Sequence, residues 1–173
     1  MHDKGRATNL LGAAALAISD LSLAAATNAA GTSASSAAAL VVLAESPGVS
    51  VTELGRRVGL SQPAAARMVD SLQVAGLVDR QPGAGREVRV TSTTAGREVA
   101  ARLLEARGLA LDDLVAVLDS DEQDALAELL AKLLAGLYRE MGSADLLCRL
   151  CDRPACTRDA TCPVGQAERD GGA

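Results

Sequence analysis

The chain has 173 residues, a net charge of −5 and 1% aromatic residues. That length makes one ordinary domain with attachments, and a core without Phe or Trp must be filled by Leu, Val and Ala, which favours close-packed helices. A single histidine at the terminus, His2, argues against a Ser/His/Asp triad, and so few aromatics argue against stacking on single-stranded nucleic acid.

From the N-terminus, Lys4 and Arg6 precede an apolar run from Leu10 to Ile18, an order that imitates a signal peptide. Leu10, Ala14, Ala17, Ile18, Leu21 and Ala25 nevertheless recur at helical spacing, and Asp20 interrupts the run, which argues against a membrane span. The spacing predicts an amphipathic helix over 7–30 whose exposed apolar face needs a partner, in a cytoplasmic protein with no membrane contact. After a break at Gly31, Ser33 to Glu45 reads as a second helix, with Leu40, Val41, Leu43 and Ala44 inward, stopped at Ser46-Pro47-Gly48.

Ser50 with Glu53 has the pattern of a capping box, so a helix should start at Val51, with Leu54 and Val58 inward and Arg56 and Arg57 outward. Gly59 closes it. Ser61 caps the next helix, and Pro63 is tolerated because first-turn N–H groups have no helical partner. There Ala65, Met68, Val69 and Leu72 should face the core, leaving Gln62, Ala64, Arg67 and Ser71 outside. Gly76 ends that helix. Leu77-Val78 and Val88 to Val90 are β-prone and joined across Pro82-Gly83-Ala84-Gly85, a hairpin tip rather than a phosphate loop. Two short helices about a turn, then a hairpin, make a winged helix-turn-helix, which places one helix in a DNA groove.

Thr93 opens a long helix whose apolar side is Val99, Leu103, Leu104, Leu111, Leu114, Val115 and Leu118. Gly108 within it costs roughly 1 kcal/mol against Ala. Ser120 with Gln123 reads as a second capping box. Beyond it, Leu126, Leu129, Leu130, Leu133, Leu134, Leu137 and Met141 repeat at i, i+3, i+4, as either intrachain core or a dimer seam. The fold class is mainly α with a small β-wing. Charge divides along the chain. Residues 50–107 hold nine arginines against six acids, and residues 108–147 hold two bases against nine acids. The basic surplus sits where phosphate contacts would be needed. Carboxylates over 112–128 read as a solvated helix face, and nothing assembles an enzyme's catalytic set.

All four cysteines, Cys148, Cys151, Cys156 and Cys162, fall in one stretch with spacing C-x2-C-x4-C-x5-C. Four thiols in so short a loop can converge on one centre with little added ordering cost. A structural Zn²⁺ site fits four thiolates, although only one C-x2-C knuckle is present. An iron–sulfur cluster fits Cys162-Pro163, although the spacing differs from the ferredoxin run. A metal-free disulfide pair is the third option.

Leu60-Ser61-Gln62-Pro63-Ala64, Arg67-Met68-Val69-Asp70-Ser71-Leu72, Gly76-Leu77-Val78 and the run from Arg86 to Arg89 into Thr93-Thr94-Ala95-Gly96-Arg97 resemble the MarR family of bacterial winged-helix transcriptional regulators. With the flanking helices the likeness covers about residues 7 to 141. The resemblance implies a winged DNA-binding domain over 33–97, with the helices of 7–30 and 98–143 pairing two copies. It implies a homodimeric repressor of double-stranded DNA and a small aromatic acid as an optional effector. Ser61, Gln62, Ala64, Arg67 and Ser71 would meet the major groove, with Arg86 and Arg89 from the wing; two half-sites about 10 bp apart make the operator palindromic. The family's wing usually has an Asp before its arginine, where this chain has Ala84-Gly85. The cysteine tail, 144–173, is no part of the common pattern. It is expected to sense iron, redox state or metal. The alternatives are a regulator of small-molecule response with a purely structural zinc tail, or a winged-helix protein-interaction module.

Overall fold

The computed structural model describes residues 4–83 and 88–171. Helix α1 (Lys4–Ala30) starts three residues before its expected beginning and runs unbroken. Its inward face differs from the expected stripe. Leu10, Ala14, Ala17, Ile18 and Leu21 are exposed and Ala25 is half-buried, whereas Ser22 and Ala26 are buried. Small side chains let α1 lie close against a neighbouring helix near its C-terminal end, and the larger apolar residues project beyond the core. By length and composition α1 could cross a membrane, and 11% of its apolar window is buried.

Helix α2 (Ala34–Glu45) is capped by Ser33, whose hydroxyl accepts from the Ser36 N–H at 3.2 Å. Ala37, Ala38, Ala39, Leu40, Val41 and Leu43 are buried, so α2 is the central rod of the core. Ala44, expected inward, is exposed, although Leu43 beside it in the last turn is buried. Strand β1 (Val49–Ser50), α3 (Val51–Val58), α4 (Gln62–Val74), β2 (Val78–Pro82) and β3 (Val88–Ser92) follow. The three strands form an antiparallel sheet of order β1-β3-β2, and buried Val90 pairs with both Val49 and Arg80, fastening the wing to the core.

Thr93 caps α5 (Thr94–Val115): its hydroxyl accepts from the Gly96 N–H at 3.0 Å and donates to the Gly76 carbonyl at 2.8 Å. The helix passes through Gly108 without a break and packs on α1 and α2. Val99 and Leu103 are buried, Leu104, Leu111, Val115 and Leu118 half-buried, and Leu114 exposed. Helix α6 (Ser120–Met141) has its capping box one residue earlier than expected. Asp119, not Ser120, is the cap, and it exchanges hydrogen bonds with Glu122 at 3.0 and 3.1 Å, while Gln123 turns back to the Leu118 carbonyl. A carboxylate accepts more strongly than a hydroxyl at the positive end of a helix.

No residue of α6 is buried, and Leu129, Leu130, Leu133, Leu137 and Met141 are 44–57% exposed. The leucine stripe is therefore not intrachain core. The tail folds into α7 (Ala144–Leu147), α8 (Arg153–Cys156) and α9 (Pro163–Gly171). Helix α7 packs on α3, α9 packs on α6, and Val164 is only 2% exposed.

Candidate functional site

The outward helix of the pair, α4, is aimed by its crossing with α3. Gly59 takes the left-handed conformation (φ 74°) that ends α3, as its place in the sequence predicts. Gly55 was not singled out in the sequence, yet it sets the approach: a Cβ there would stand 2.7 Å from the Ala65 Cβ and 3.3 Å from the Leu60 carbonyl oxygen. On α4, Ala65, Met68, Val69 and Leu72 are buried as expected. Ser61, Gln62, Arg67 and Ser71 are exposed on the other side, and Ala64 is half-buried. Ser61 has the extended backbone of a cap, but its hydroxyl makes no capping hydrogen bond, so the side-chain cap expected there is absent. With Pro63 in the first turn, the helix end keeps N–H groups free for an acceptor from outside. Arg67 makes no ion pair among the described residues.

Of the wing residues, Arg89 is exposed on β3 and donates to the Gly48 carbonyl at 3.2 Å. Arg86 lies outside the described residues. Arg80, unremarked in the sequence, reaches from β2 to α4, meeting Asp70 at 2.6 Å and the Gln73 side chain at 3.1 Å. It braces the hairpin against the outward helix.

Behind α4 lies a charge network. The Ser50 hydroxyl caps α3 through the Glu53 N–H at 3.2 Å, but the Glu53 carboxylate does not close the expected box. It instead accepts from Arg56 and Arg57, each at 2.7 Å, and Arg56 also donates to Asp145 of α7 at 2.7 Å. The hydrogen bonds from Arg56 and then Arg57 hold the Glu53 carboxyl down at about 2. Arg56 and Arg57, expected to face outward, are thus engaged by Glu53 and by Asp145 of the tail.

The four thiols gather beside this network. Cys148, Cys151, Cys156 and Cys162 all line one cavity of about 300 Å³, closed on its other side by Val42 and Glu45 of α2 and by Arg57. The neighbouring Cys151 thiol favours the Cys148 thiolate, the neighbouring Cys148 pushes Cys151 upward, and burial raises Cys156 to about 11. The Gly165 N–H donates to the Cys162 sulfur at 3.3 Å. All four are free cysteines. Among the described residues, no group of three or more His, Cys, Asp or Glu side chains stands in a metal-holding arrangement, so the sulfurs are collected around a cavity rather than closed into a ligand shell. Arg57, Arg149, Arg153 and Arg169 line the cavity together with Glu45, Asp145 and Glu168, which leaves a small positive excess beside the thiols.

The sequence model of the MarR family matches residues 30–87. A MarR family protein from Mycobacterium tuberculosis is 26% identical, with 76% of this chain and 96% of that one covered and a TM-score of 0.61. The same protein solved with DNA gives 25% identity, 71% and 96% coverage and a TM-score of 0.57. Its complex with salicylic acid gives 28%, 72% and 93%, and 0.56. No curated protein matches the chain.

Proposed function

We infer that this chain, a winged-helix transcription regulator of the MarR family, works as a cytoplasmic homodimeric repressor that reads a palindromic operator through α4. The exposed side of α4 carries the reading. Ser61, Gln62, Arg67 and Ser71 share it, its N-terminal amides are uncapped by Ser61, and Arg67 is uncommitted. A protein-interaction module would not need a free arginine between two small polar residues on a helix braced by its own wing. The solved DNA complex of the similar M. tuberculosis protein favours the same choice. Dimerisation would cover the exposed leucines of α6 and the apolar N-terminal half of α1, which are too extensive for a solvated surface. Selection from a random duplex pool should enrich an inverted repeat with half-sites about 10 bp apart, bound by two chains. Enrichment of unpaired or unrelated sequences refutes the operator reading.

The four thiols would hold one centre, either an iron–sulfur cluster or a single Zn²⁺, and its state would be the signal. Their convergence on one cavity within an arginine-rich surround supports this. Metal and acid-labile sulfide analysis of protein prepared without oxygen decides it: sulfide with iron identifies a cluster, stoichiometric zinc alone identifies the single ion, and neither refutes a metal centre. Salicylic acid bound by the similar protein favours a small aromatic acid as a second input. Loss of operator binding on adding salicylate tests it.

A further inference from the structure

The cysteine tail touches both halves of the molecule. Through α7 it meets α3, the first helix of the reading head, and through α9 it meets α6, the helix with the uncovered leucines; α7 and α9 also meet each other. At the α3 end, Leu146 lies over the helix-turn-helix turn, its Cδ2 3.1 Å from where a Cβ on Gly59 would be. Asp145 binds Arg56 at 2.7 Å and stands 4.0 Å from Arg57. Leu150 packs against the main core. At the α6 end, Val164 of α9 is buried.

Local bonds hold this strap only weakly, through the Ser143 cap on α7 and the Asp152 cap on α8. Helices α7 and α8 are four residues each, far below the length at which a helix holds itself. The cysteines fall at the joints: Cys148 just after α7, Cys156 as the last residue of α8, and Cys162 just before α9. A centre bonded to all of them fixes the three helices as one piece. All four thiols line the one cavity, so a single ion bound there would draw on each of them. Zinc binding would send the remaining thiol protons to solvent and leave an anionic tetrathiolate facing Arg57, Arg149, Arg153 and Arg169. Arg57 is common to the cavity wall and to the Glu53–Asp145 network, so it joins the centre to α3 directly.

Resting on the reading of the four thiols as one metal centre, we propose that the tail is a metal-dependent clamp: an occupied thiolate centre ties α7 to α9 and so locks the reading head, held by Asp145 on Arg56 and Arg57, to the α6 seam. When the centre is lost, α7 frees α3, and the two reading heads of a dimer are no longer held at one spacing.

Amide hydrogen exchange on the full chain tests the clamp, comparing protein loaded with Zn²⁺, or with a reconstituted iron–sulfur cluster, against the same protein after chelation. Removing the centre should speed exchange about fivefold in α3 (Val51–Val58) as well as in the tail. Asp145→Asn should keep the metal stoichiometry while losing most of the α3 response. Cys156→Ser, left without a complete ligand set, should exchange in α3 like chelated wild type. Faster exchange in the tail alone, or an undiminished α3 response in Asp145→Asn, overturns the clamp while leaving the metal centre intact. A chain that takes up neither zinc nor a cluster overturns both.

Discussion

Gly55→Ala puts a methyl group where α3 and α4 cross. The added Cβ would lie 2.7 Å from the Ala65 Cβ, against the roughly 3.5–4.0 Å of a favourable carbon contact, so the helices must part by about 1 Å. Overpacking of this kind costs about 1–3 kcal/mol. Alanine's helix propensity returns up to about 1 kcal/mol. The net expectation is a loss of about 1–2 kcal/mol, or about 2–8 °C in Tm for a chain of this size. Gly108→Ala is the matched control: it is also mid-helix, but nothing lies within 4 Å of its added Cβ, so it should stabilise by up to about 1 kcal/mol. Thermal and urea unfolding of both variants, followed by circular dichroism, measures the difference. Operator titration should also show Gly55→Ala binding more weakly, because the shift re-aims α4. If Gly55→Ala proves as stable as Gly108→Ala and binds DNA like wild type, the close crossing does not position the reading helix.

Arg67→Ala should weaken binding to a selected operator by about 1–3 kcal/mol if the guanidinium reads a base; an unchanged fluorescence-anisotropy titration removes it from the interface. Leu133→Asp sits in the exposed α6 stripe and, if that stripe pairs two chains, should give a folded monomer by sedimentation where wild type gives a dimer; an unaltered mass would place the seam elsewhere. Glu53 has a folded pKa near 2 against an ordinary 4.5, set first by the Arg56 hydrogen bond and then by Arg57. A depressed carboxyl pKa stabilises fully above its unfolded value, so that contribution should fade as pH falls from about 4.5 towards 2. The pair is partly exposed, which limits the effect to under about 1 kcal/mol. Urea midpoints of wild type and Glu53→Gln should converge across that window, and parallel curves would contradict the assignment.

Helix placement was legible because it depends on near neighbours. Ser50, Gly59, Ser61 and Thr93 set backbone conformations within a turn of themselves, and Ala65, Met68, Val69 and Leu72 share a face by helical period alone. The one-residue error at the α6 cap has the same local origin: Asp119 and Ser120 are both good caps, and the choice turned on which acceptor better served the helix end. The α1 stripe failed for a different reason. Periodicity shows that one face is apolar but not which part of it is covered, and the burial went to Ser22 and Ala26, whose small side chains suit a close approach.

By itself, the sequence determined the winged helix-turn-helix, the outward set on α4 and the grouping of four thiols, because capping, period and spacing act over a few residues. Tertiary structure alone decided that Gly55 sets the helix crossing, that Arg80 braces the wing, and that the cysteine tail returns to grip α3 through Asp145. Those contacts join segments up to 89 positions apart, and nothing in the local chemistry of either segment names its partner.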